Sequence, residues 1–128
     1  MINFLDLLSR IFVSAIFLFS GINKILYFDD TSQWMEGFGV SSIFLIPTII
    51  IEIILPLLLM VGYQTKIASF LLSLFCLSTA FIFHNDFSNQ TQIIGFLKNI
   101  GLAGGLLFLT INGTKDWALE KKKKYVRL

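Results

Sequence analysis

The chain has 128 residues, of which 55% are hydrophobic and only 14% charged, with a formal net charge of +2 and a mean hydropathy of +0.80. A soluble domain of this size cannot carry so large an apolar share, so the composition excludes the soluble classes and points to an integral membrane protein. At about 20 residues per crossing there is room for four helices with short loops and none for a second domain. Residues 1–128 are therefore expected to form one all-α membrane four-helix bundle, up-down-up-down.

The first span is expected over residues 8–27. It carries Arg10 inside the apolar run, lacks a small-residue cleavage site and continues to spanning length, so no cleavable signal peptide is expected. Arg10, Ser14, Gly21 and Lys24 fall on one helical stripe, whereas Phe12, Ile16, Phe19 and Ile22 fall largely elsewhere. Arg10 lies near one membrane boundary and Lys24 near the other, each close enough for its stem to snorkel to the surface.

Residues 28–40, FDDTSQWMEGFGV, break the oily pattern. Asp30 followed three residues later by Gln33 predicts the start of a short interfacial helix, ending near Gly37 or Gly39. Trp34 and Phe38 then lie one turn apart with Trp34 at headgroup level; an irregular loop is the alternative.

The second span, residues 42–61, carries a carboxylate, Glu52, near its centre. An ionisable group at that depth costs about 3 kcal/mol even on the most forgiving insertion scales, so Glu52 requires a partner. Thr48, Glu52 and Pro56 share a face with Pro47 beside them, and prolines free backbone carbonyls and permit a kink that would open space near the acid.

The third span, residues 67–84, aligns Ser69, Ser73, Cys76 and Ala80 as a stripe for close helix packing, with His84 at its end. Cys76 is the only cysteine, which excludes an intrachain disulfide shuttle and suits a small buried hydrophobe. In the fourth span, residues 93–111, Lys98 shares a stripe with Gly101 and Gly105, which predicts a buried lysine above a Gly-x-x-x-Gly contact surface, with Asn99 beside it. Gly104 and Gly105 lie inside a hydrophobic helix, so they are not a phosphate-binding loop.

The tail, residues 112–128, contains Lys115, the lysines at 121–124 and Arg127. Arg10 and Lys66 fall on the same side as this tail, and the opposite loops carry Asp29, Asp30, Glu36 and Asp86 without Lys or Arg, so both termini are expected in the cytoplasm. The lysine run would also attract anionic membrane lipid, and no nucleic-acid partner is expected.

In this topology Lys24, His84, Lys98 and Glu52 all occupy the outer half of the bundle, and Glu52 is expected to pair with Lys98 or Lys24. Either these charges only set helix register, or they line a pocket whose candidate ligand-binding residues are Lys24, Glu52, His84, Lys98 and Asn99. No catalytic group is assigned; Glu52 and His84 are the candidates for handling protons. Two lysines beside one carboxylate leave spare positive charge, which suits a quinone carbonyl, a carboxylate or a sulfur oxyanion. His84 and Asp86 are too few ligands for a metal site, so no metal is expected.

Arg10, the run Ser20-Gly21-x-x-Lys24, the Glu52 helix ending near Gly62 with Lys66 beyond it, His84, and Lys98-Asn99 before Gly104-Gly105 together resemble the DoxX family, from Arg10 to about Gly113. Lys66 stands where an arginine is common in that family, and the lysine tail is longer. The resemblance implies a bacterial inner-membrane protein that is an oxidoreductase or a subunit of one, with relatives tied to thiosulfate:quinone oxidoreduction and others found beside soluble sulfur-handling or superoxide-detoxifying enzymes. Quinone is the one cofactor it suggests, since the chain has no haem-ligand pair, cysteine pair or flavin motif. Three readings result: a quinone-linked redox subunit working with a membrane or soluble redox partner, a non-catalytic membrane anchor or assembly factor for a redox enzyme, and a small-solute transporter built as a homo-oligomer.

Overall fold

The computed structural model describes residues 1–120. Its elements are α1 (Ile2–Leu26), α2 (Phe28–Gly37), a 3-10 turn (Ser42–Phe44), α3 (Leu45–Val61), α4 (Thr65–Phe83) and α5 (Gln90–Asn112). Four helical segments are long and apolar enough to cross a bilayer: α1, the 3-10 turn continuing into α3, α4 and α5. With no strand among the described residues, the chain is a four-helix membrane bundle. The lysines at 121–124 and Arg127, expected to hold the tail on the cytoplasmic side and to attract anionic lipid, lie outside the described residues.

Two helix starts differ from expectation. The first span begins at Ile2 rather than at residue 8, because Asp6 and Arg10 form an ion pair one turn apart that favours helix where hydropathy alone does not register it. The helix between the first two spans starts at Phe28 rather than Asp30, without a side-chain cap; its first turn holds Asp29 and Asp30 against the positive end of the helix dipole.

Helix α1 packs along α3 and α4 along α5, with α3 and α4 joining the two pairs. Small groups make these approaches possible. A Cβ on Gly21 would stand 2.8 Å from the Ile53 Cδ1 atom, so α1 and α3 could not approach as closely with any larger residue there. Ser14 donates to the Pro56 carbonyl at 3.0 Å across the same interface. On α4, Ser69, Ser73, Cys76 and Ala80 are all buried, as the stripe predicts, and the Ser69 and Thr110 hydroxyls share a hydrogen bond of 2.8 Å between α4 and α5. Phe17, Leu59, Leu72, Cys76, Ala103 and Leu106 are among the apolar residues that close the core.

The expected Gly-x-x-x-Gly contact does not form. A Cβ at Gly101 or Gly105 would meet no atom within 4 Å, and Lys98 is exposed rather than buried. Helix α5 instead turns Ala103 and Leu106 inward, since these bring apolar area to the small stripe of α4 without burying an ammonium group. The lysine and its glycines lie along the edge of α5.

Arg10 corrects a second expectation. It does not snorkel: it is 1% exposed, with Nε donating to Asp6 at 3.1 Å and Nη1 to the Leu59 and Met60 carbonyls at 2.9 and 3.0 Å. Nη2 donates to the Trp117 carbonyl. The last carbonyls of α3 lack the N–H groups that a further turn would supply, Leu59 being met by the Gly62 cap at 3.2 Å, and they carry the negative end of the dipole, which is where a guanidinium fork fits. The chain after α5 is thereby tied across the bundle. Leu119 and Glu120 donate their N–H groups to the Val61 and Gly62 carbonyls, both at 2.9 Å. The Glu120 carboxylate accepts from the Thr114 hydroxyl at 2.8 Å and from the Thr65 N–H at the start of α4. Gly62, at φ +73, has room for this strap because a side chain there would collide with Ala118. The Lys115 and Asp116 N–H groups bond to Asp6 and Asn3, so both described chain ends lie on one side of the bundle.

Removing the guanidinium takes a charged donor from three carbonyls and from Asp6, leaving Leu59 only the Gly62 N–H and Asp6 only the Lys115 N–H. Arg10→Met is expected to destabilise the bundle by about 3 kcal/mol or more, with Arg10→Lys intermediate. Denaturant unfolding in detergent measures this, and hydrogen exchange at Leu119 and Glu120 should accelerate in Arg10→Met; unchanged exchange would show that the strap holds by other contacts.

Candidate functional site

At the end of the bundle that carries α2, a cavity of about 230 Å³ opens among all five helices. All five residues named as candidate ligand-binding groups line it: Lys24 from α1, Glu52 from α3, His84 at the end of α4, and Lys98 and Asn99 from α5. Phe17, Phe75 and Leu102 form apolar wall. Helix α2 supplies a roof with Thr31, Trp34 and Met35, held down by Trp34 stacked on Phe83 at 4.7 Å between ring centroids and by Phe38 edge-on to Phe83 at 5.2 Å.

The acid has its partner. Lys24 Nζ lies 2.9 Å from Glu52 Oε2 and 3.1 Å from Oε1, and it also donates to Ser20 Oγ at 2.7 Å. Ser20 in turn donates to Glu52 Oε1 at 3.4 Å. Of the two lysines expected as partners, Lys24 takes the role. It stands near the end of α1 but reaches down the bundle instead of up to the surface, since a carboxylate 4% exposed offers it more than water at the membrane boundary.

This pairing consumes the donors of Lys24, because an ammonium has three N–H groups and all three are directed at Ser20 and Glu52. Lys98 forms no ion pair or hydrogen bond among the described residues. It therefore brings an uncommitted cation to the wall of a cavity whose other charges already cancel. Asn99 is anchored to its own helix by donation to the Gly95 carbonyl at 3.0 Å. His84 Nδ1 shares a hydrogen bond of 3.2 Å with Gln92 Oε1. Gly95 permits this arrangement: a Cβ there would stand 2.7 Å from the imidazole Nδ1. Asp86 is occupied elsewhere, accepting from the Ser88 hydroxyl and N–H, which hold its carboxyl below the usual range.

Ser20, Gln92, Gly95 and the α2 roof were not identified from the sequence as parts of a site. Ser20 stands one turn from Lys24, and that i, i+4 spacing is a usable signal for a side-chain pair. Gln92 and Trp34 matter only through contacts with distant helices, which no local pattern reveals.

The network should behave as a unit. Lys24→Met, leaving the Glu52 carboxylate uncompensated, is expected to destabilise the protein by about 3 kcal/mol or more, and Lys24→Met with Glu52→Gln should recover at least half of that loss. A double-mutant cycle by denaturant unfolding tests this; additive losses would mean that the two groups do not interact.

The sequence profile of the DoxX family matches residues 5–85. The chain is 31% identical over 115 residues to inner membrane protein YqjF of Escherichia coli K12, covering 90% of this chain and 88% of the relative. It is 30% identical over 123 residues to inner membrane protein YphA of the same organism, covering 91% and 88%. No solved structure gives a significant match. Four apolar spans and inner-membrane relatives make this a multi-pass inner-membrane protein. The chain belongs to the DoxX family.

Proposed function

We propose that the protein is a quinone-binding membrane subunit that works with a redox partner. The observation that carries this reading is the uncommitted Lys98 ammonium on the wall of a half-apolar cavity that also holds the Glu52 carboxylate. A quinone head is flat and apolar with carbonyl acceptors at its edges, so it requires apolar walls, a donor and a nearby proton-handling group.

Lys98 would donate to one carbonyl, and its charge would stabilise the negative charge that develops on that oxygen during reduction. His84, which lines the same cavity as Lys98 and Asn99, would relay protons at the α2 end. Reduction of a quinone to a quinol consumes two electrons and two protons; the electrons would come from the partner, with this chain supplying binding and proton access. The lysine at 66 and Lys115 against Asp29, Asp30, Glu36 and Asp86 favour termini on the cytoplasmic side, which puts the cavity in the outer half of the membrane.

Trp34 lines the cavity and reports on its contents. In a Trp117→Phe background, the tailless quinone ubiquinone-0 should quench Trp34 fluorescence saturably. Lys98→Met should weaken that binding about tenfold or more, the effect of losing one hydrogen bond from a charged donor. Absence of saturable quenching, or equal affinity in Lys98→Met, would rule the reading out.

A further inference from the structure

The two long helices at the edges of the bundle, α1 and α5, make no extensive contact with each other, unlike α1 with α3 or α4 with α5. The cavity under α2 is lined in part by both of them, through Ile16, Ser20 and Lys24 of α1 and Lys98, Asn99 and Leu102 of α5. A second cavity, of about 290 Å³, lies in the same seam toward the chain termini.

Both cavities are lined by one stripe of each helix. On α1 it runs Lys24, Ser20 and Ile16 in the first cavity and Val13 and Ser9 in the second, in steps of three and four residues. On α5 it runs Lys98 and Leu102 in the first, then Gly105, Leu109 and Asn112 in the second, again in steps of three and four. The two cavities follow each other along the same stripes, and the stretch of α5 from Lys98 to Asn112 measures about 21 Å at 1.5 Å per residue, about two thirds of a hydrocarbon core roughly 30 Å thick.

Its chemistry is graded along its length. Ile16, Leu102, Val13 and Leu109 line the middle, and Gly105 leaves open space where a side chain would otherwise project. At the α2 end stands Lys98 with its donors free. At the other end the second cavity is also lined by Asp6, Arg10 and Lys115, and the Ser9 hydroxyl and Asn112 amide already donate to the Leu5 and Phe108 carbonyls of their own helices. The aqueous approach to the first cavity is covered by Met35, 5% exposed, and by the stacked Trp34 and Phe83. On the α1–α5 side no extensive helix–helix contact closes it.

We infer that the ligand of this site is a membrane-dissolved amphiphile with one long hydrocarbon tail, its electron-rich head at Lys98 and its tail lying in the α1–α5 groove over Gly105. This rests on the proposed head-group site and adds the class of molecule that fits it and the direction from which it enters. A water-soluble ligand would leave the middle of the groove without an occupant of matching chemistry, whereas a tail packs there against Ile16, Leu102, Val13 and Leu109.

The test uses the full chain in lipid nanodiscs and a palmitate carrying a photoactivatable diazirine in mid-chain, with cross-links mapped by mass spectrometry. Label should concentrate at Val13, Ile16, Leu102 and Leu109 at least fivefold over the lipid-facing Phe12, Phe19, Phe70 and Phe81. It should fall at least fivefold in Gly105→Phe, where the added ring has open space, and in Val13→Trp, which fills the groove from the opposite wall. Label spread evenly over outward-facing residues, or seam label unchanged in both variants, would overturn the groove. Titrating the same wild-type sample with ubiquinone-0 separates the two readings. Saturable quenching with scattered label removes the groove alone, and seam label without quenching removes the quinone head-group while the groove stands.

Discussion

A charge pair held inside hydrocarbon is the constraint on which the rest of this bundle depends. An unpaired carboxylate at the depth of Glu52 would either lose its charge or expel the helix toward water. The ammonium of Lys24 meets both oxygens, and Ser20 bridges the two side chains. For that geometry to exist, α1 and α3 must approach closely, which Gly21 permits. The cavity beside the pair follows from it, because α1 and α3 are committed to each other on one side and α4 and α5 on the other.

The bundle treats its two ends differently. At the terminal end, Arg10 and the strap after α5 close the structure with a guanidinium whose donors all find acceptors. This is a structural use of a buried cation, with the carbonyls of a helix end as counterpart. At the α2 end the cations are divided. Lys24 is saturated by its partners, and Lys98 remains uncommitted at the cavity wall. Beside a largely apolar cavity, a positive charge with no partner among the described residues is what an electron-rich ligand would meet under the proposed function.

Much of this was legible in the sequence because a membrane makes simple demands. Four apolar runs of spanning length required four helices, and a central acid required a base. The small stripe of α4 marked its packing face because only small residues allow such approach, and all of Ser69, Ser73, Cys76 and Ala80 are buried. What remained hidden depended on contacts between distant segments. Arg10 near a membrane boundary looks like a snorkelling residue until the end of α3 and the strap from Trp117 to Glu120 are known to converge on it. The Gly101 and Gly105 stripe matches a helix-contact pattern, but the pattern does not say which neighbour is available, and here it borders open space. The five candidate residues came together in one cavity, whereas the choice of Lys24 over Lys98 as partner depended on the side chain's reach along α1.

The most direct measurement of the central claim is a solid-state NMR distance between the Lys24 side-chain nitrogen and the Glu52 carboxyl carbon in lipid bilayers. The account predicts a strong dipolar coupling, consistent with the nitrogen–oxygen contact of 2.9 Å, that disappears in Lys24→Met. No coupling, with the Lys24 ammonium exchanging freely with water at the membrane surface, would contradict it.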